Sequence, residues 1–144
     1  MKRIATRSLL SMASTFPLAL AMSLLQPSPV LPRDENVQTI EIAAKKYEYL
    51  PSPVHVKRGT KVQLRITATD HDHGFKIGTM PDGADSDGSA GLVLTSQQDC
   101  WQLKKAETTT IEFLAQTPGT YTFRCCHTCG FGHGSMKGQI VIDQ

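Results

Sequence analysis

Three things are scarce in this chain of 144 residues: aromatic side chains, an excess of charge of either sign, and long unbroken apolar runs. Aromatics make up 6% of the residues, with a single tryptophan, and the formal net charge is only +2. A basic surface interleaved with aromatics is therefore missing, which excludes nucleic acid as a partner. The longest apolar stretch, from Leu9 to Ala21, is short for a membrane span and is interrupted by Ser11, Ser14, Thr15 and Pro17. No segment shows the three- and four-residue apolar spacing of an amphipathic helix. Internal repeats are also lacking.

The interrupted stretch has a meaning of its own. Lys2, Arg3 and Arg7 precede it, and Ala19-Leu20-Ala21 has the small-x-small form of a signal-peptidase site. Residues 1–21 are read as an export signal, or else as an uncleaved N-terminal anchor that would associate the protein with a membrane. Either reading places the protein in the periplasm or another extracytoplasmic space. Removing the signal takes three of the fifteen basic residues, leaving twelve against thirteen acidic ones. No cysteine near the cleavage point offers a site for a lipid. Residues 22–37, rich in proline and polar side chains, read as a linker to one domain over 38–144.

Within that domain, apolar residues recur at every second position: Ile40 and Ile42, Val54 and Val56, then Val62, Leu64 and Ile66. Further on, Ile111 and Phe113, Tyr121, Phe123 and Cys125, and Ile140 and Ile142 repeat the pattern. This is the period of strands with one buried face. Arg58-Gly59-Thr60 and Thr117-Pro118-Gly119 mark turns. Leu92 to Leu94 and the surroundings of Trp101 and Leu103 are ambiguous. The polar segment Gly78 to Gly91 reads as a surface loop; its Asp85-Ser86-Asp87-Gly88 fails the EF-hand pattern, because Gly83 and Leu94 fall on the first and last ligand positions. About seven short strands without helices predict an all-β sandwich or barrel.

The stretch Cys125-Cys-His-Thr-Cys-Gly-Phe-Gly-His-Gly-Ser-Met136 concentrates metal-binding side chains. Cys125, Cys129, His133 and Met136 have the spacing C-x3-C-x3-H-x2-M: two thiols, an imidazole and a thioether, a soft donor set that favours copper. Gly130, Gly132 and Gly134 allow the loop to turn these groups toward one point. A further ligand from the end of the Val62 to Thr69 strand is expected from His73, or from His71 in its place. Asp70 and Asp72 are candidates to orient that histidine, or else plain surface aspartates.

With His73-Gly74-Phe75 upstream and the Cys125 to Met136 loop downstream, the domain resembles the dinuclear copper A domain of cytochrome c oxidase subunit II and of nitrous oxide reductases. The resemblance extends through Pro51-x-Pro53-Val54-x-Val56 and Pro118-Gly119-Thr120-Tyr121. It implies a cupredoxin-like Greek-key β-sandwich or barrel holding two copper ions. The thiolates of Cys125 and Cys129 would bridge both ions; His73 and Met136 would complete one, and His133 with the His127 carbonyl the other. It further implies an electron carrier rather than an enzyme. Its donor or acceptor would be a cytochrome c or another cupredoxin, and a terminal oxidase or reductase. A periplasmic copper-binding or delivery protein, donating copper to another cuproenzyme, is the alternative.

Other uses of the same residues are weaker. Zinc leaves Met136 without a role, a mononuclear blue copper site needs a single thiolate, and two disulfides leave the His and Met spacing unexplained. Cys126, adjacent to Cys125 on an alternating strand, faces away from the site. It is read as disulfide-bonded to Cys100, with buried free thiols or an auxiliary copper-handling pair as the other two readings.

Overall fold

The computed structural model describes residues 37–85 and 88–144. The expected signal and nearly all of the linker lie outside the described residues. Val37, placed at the end of the linker, opens the first strand.

Ten strands follow in order: β1 (Val37–Lys45), β2 (Glu48–Leu50), β3 (Val54–Lys57), β4 (Lys61–Ala68), β5 (His73–Ile77), β6 (Leu92–Leu94), β7 (Trp101–Leu103), β8 (Thr108–Ala115), β9 (Gly119–Arg124) and β10 (Lys137–Asp143). The six runs marked by alternation are all strands. The others, β2, β5, β6 and β7, are three to five residues long, too short to show a period.

The strands form two five-stranded sheets, ordered β2-β1-β4-β8-β6 and β3-β10-β9-β5-β7. Pairing is antiparallel except for β1 with β4 and β3 with β10, which run parallel. Alternation decides which side chains meet between the layers. Val62, Leu64, Ile66 and Ala68 point inward from β4, Ile111, Phe113 and Ala115 from β8, and Ile140 and Ile142 from β10. Burial at roughly 25 cal/mol per Å2 of apolar surface makes such a core the main favourable contribution to folding.

The few aromatic residues are concentrated. Phe75 lies 5.1 Å from Phe123 and 6.2 Å from Trp101, and Tyr49 meets Phe123 edge-on at 5.2 Å. This cluster sits directly beneath the ends of β5 and β9, where His73 and Cys125 emerge. Rigid rings there fix the floor on which the site is built.

Candidate metal centre

Cys125 continues the inward face of β9 after Tyr121 and Phe123 and is buried. Its backbone N–H donates to the carbonyl of Met136 at 3.0 Å, which closes the base of the loop. Between these residues the chain makes a short 3-10 turn over His133–Ser135, and Met136, fully buried, leads from it into β10.

Loop closure brings the donors together. The Cys125 and Cys129 sulfurs are 3.5 Å apart, and both cysteines are free. Cys129 Sγ lies 3.9 Å from His133 Nδ1 and 4.0 Å from Met136 Sδ, and the carbonyl of His127 is 3.1 Å from Cys125 Sγ. The His127 side chain is exposed, so only its carbonyl faces the site.

His73 arrives from β5 and is 0% exposed, the one buried polar or charged side chain among the described residues. Its ring, that of His71 and the Cys129 sulfur present ligand atoms within 4.8 Å of one another. Nε2–H of His73 donates to Asp70 Oδ1 at 2.7 Å, which fixes the tautomer. Nδ1 is left buried with its lone pair free and no hydrogen-bond partner among the described residues. A buried acceptor without a partner is costly in a metal-free protein and is satisfied by a metal ion. The donor set therefore fits a soft metal: two thiols, two imidazoles, a thioether and a carbonyl.

His71 is only partly buried. Its Nε2 is 3.0 Å from the Cys129 carbonyl and its Nδ1 is 3.0 Å from Asp70. Asp70 thus gathers both rings, and its other oxygen accepts from the Lys46 N–H at 2.9 Å. Burial opposes its ionisation, yet the bonds from His73 and from the backbone of Lys46 and His71 hold the carboxyl well below the usual carboxylate range. Asp72 has no such place. It binds Lys104 Nζ and the Lys105 N–H, both at 2.8 Å.

Burial and the adjacent Cys125 push the Cys129 thiol up to about 11. The Cys129 thiol is thus neutral in the metal-free form, and metal binding expels its proton.

Three contributors were not identified from the sequence. Tyr49, inward on β2, donates its hydroxyl to the Gly74 carbonyl. Burial, then the Cys125 and Cys129 sulfurs, raise its phenol far above the ordinary range, so it stays a neutral donor. Gly74 N–H donates to Cys125 Sγ at 3.4 Å, a bond that selectively favours a thiolate. A Cβ at Gly74 would come within 2.6 Å of the His127 nitrogen, so His73-Gly74-Phe75 needs its glycine for close approach.

Tyr47 covers the loop from outside. A Cβ on Gly132 would fall 2.1 Å from its ring, and Gly130 combines close contact with φ +121°. Gly134 has no such neighbour, so only two of the three loop glycines serve tight folding. Cys126 points away from the sulfur pair and is bonded to Cys100. That disulfide joins the segment before β7 to the loop.

Two facing sheets with a Cys, His and Met cluster at one end define a cupredoxin, and a family model described as a cupredoxin-like domain matches residues 14–142. The chain belongs to that family. Within it, the chain is similar to cytochrome c oxidase subunit 2 of Thermus thermophilus. The identity is 28% over 109 residues, covering 76% of this chain and 68% of that protein, or 55% of a second version from the same species. Among solved structures, the periplasmic domain of cytochrome oxidase subunit II of Bradyrhizobium japonicum aligns with a TM-score of 0.56 and 14% identity, covering 74% of this chain and 83% of that one. Reduced auracyanin from Roseiflexus castenholzii aligns at 0.53 with 24% identity, covering 74% and 97%. These two likenesses concern the fold alone.

Proposed function

We propose that this chain is an extracytoplasmic electron-transfer protein that carries one electron on a dinuclear copper centre. The ligands would be His73, Cys125, Cys129, His133, Met136 and the His127 carbonyl. The observation that carries the reading is the free, buried sulfur pair 3.5 Å apart, beside a buried His73 with an unpartnered Nδ1.

Two copper ions bound here supply a redox unit that takes up and releases one electron without making or breaking a substrate bond. The protein's part is to keep the donors in place. Asp70 holds the His73 ring, and the Gly74 N–H stabilises negative charge on Cys125. The Phe75, Phe123 and Tyr49 rings exclude water from beneath. Held donors need little rearrangement on electron transfer. Similarity to an oxidase subunit supports a cytochrome c or another cupredoxin as redox partner, together with a terminal oxidase or reductase. It also supports a periplasmic location, which residues 1–21 would serve as an export signal or anchor.

One observation favours a second reading, copper delivery. His71 is partly exposed and shares a ligand cluster with His73 and Cys129, which gives a metal ion a surface stop. Copper titration followed by electron paramagnetic resonance tests the first reading. Hyperfine splitting from two equivalent copper nuclei is expected; splitting from a single nucleus, or a protein that retains only zinc, refutes it. Incubation of the loaded protein with a copper-free acceptor separates the two, since a carrier retains both ions and a delivery protein surrenders them.

A further inference from the structure

Most of the second sheet's outward face is unremarkable, with one exception. Lys76 pairs in register with Arg124, and Arg124 with Lys137, so three cations stand side by side across β5, β9 and β10. Like charges directly opposite one another destabilise a sheet. None of the three forms an ion pair among the described residues, whereas Lys45, Arg65 and Lys104 each meet a carboxylate. Of the nearby acids, Asp82 is taken up by the Thr122 N–H and hydroxyl. Asp99 alone lines the adjoining groove.

That groove connects the cations to the site. Lys76 and Arg124 line it together with Cys126 and His133, a candidate metal ligand. Phe131, two residues before His133, is fully exposed. From these observations we infer that the Lys76, Arg124 and Lys137 strip beside His133 docks a protein partner through an acidic patch on that partner.

A flat row is the reason to prefer a protein over a small anion. Strands lie about 4.8 Å apart, so the three charges spread over roughly 10 Å without converging on a point. Such a row fits another surface, and the exposed Phe131, two residues before His133, offers an apolar contact. Charge of this kind steers encounter and orients the partner. Its role in electron transfer rests on the proposed function; the binding itself does not.

The test titrates the isotopically labelled protein with poly-L-glutamate and follows backbone amide resonances. Shifts are expected at Lys76, Arg124, Lys137 and the Phe131 to Gly134 loop tip, and they should vanish at high salt. Arg124→Gln should weaken binding at least about fivefold while leaving the melting temperature unchanged or raised, because it relieves repulsion. Shifts centred on other lysines overturn the proposal. So does an equal response to monomeric glutamate or phosphate at matched charge, which would mark a small-anion site. A second arm uses the copper-loaded protein, whose reduced centre gives one electron to hexacyanoferrate(III). That rate should fall with ionic strength and in Arg124→Gln, and an unaffected rate overturns the link to electron transfer. If two coppers fail to load, the functional reading fails while the polyglutamate result still decides the docking claim.

Discussion

The two sheets have the same number of strands and contribute differently to the site. The β3-β10-β9-β5-β7 sheet supplies or flanks every candidate ligand: His73 on β5, Cys125 after β9 and Met136 before β10. The β2-β1-β4-β8-β6 sheet supplies none, yet several of the residues that orient them come from it or follow it directly. Tyr49 is on β2, Tyr47 precedes it, and Asp70 and His71 follow β4. One layer presents the donors and the other adds the tyrosines and the Asp70 carboxylate that hold them, so the candidate site draws on both.

This division can be tested, starting with the largest effect. Cys129→Ser should abolish the coupled copper pair while leaving the β-sheet circular dichroism intact; retention of two coupled coppers would defeat the bridging role. Leu64→Ala, in the sheet without ligands, should do the reverse. It empties a fully buried position and should cost about 2–5 kcal/mol in denaturant unfolding, with a normal copper signal in the molecules that remain folded.

Gly132→Ala places a methyl against the Tyr47 ring and should cost about 1–3 kcal/mol, tying the two layers together at the loop. An unchanged melting temperature would show that Tyr47 swings freely. Asp70→Asn probes the same link through pH in the metal-free protein. A carboxyl with a depressed folded pKa stabilises above its unfolded value near 4 and loses that contribution as pH falls through the lower folded value. The wild-type advantage in melting temperature should be full at pH 7 and fade below about pH 4; a constant offset would refute it. Smallest of all, Met136→Leu should keep both metals and shift only the reduction potential, as measured by redox titration.

Much of this was legible in advance because the informative residues are local. The C-x3-C-x3-H-x2-M spacing lies within twelve residues, and two-residue alternation marked six strands from Ile40 to Ile142. The Cys100–Cys126 disulfide was one of three readings left by alternation at Cys126, and the structure contains it. Other features depend on distant partners. Three-residue strands such as β6 and β7 have no period and exist because β8 and β5 offer edges to them. Tyr47 and Tyr49 belong to no alternating run, and their role is fixed only when β2 is laid against the loop. Asp70 and Asp72 were indistinguishable by sequence; the bend between β4 and β5 turns Asp70 back onto the His73 ring, while Lys104 and Lys105 hold Asp72 at the surface.

The position of β10 also orders events in time. It lies between β3 and β9, with Ile140 opposite both Val54 and Tyr121. β10, which begins directly after Met136, thus fills an interior position of that sheet. Pairings between residues so far apart are slow, because loop closure must precede any gain from them. Because β10 must pair with β3 from early in the domain before this sheet is whole, the sheet that flanks the candidate ligands closes late. A copper ion that binds the finished site would therefore report that folding is complete.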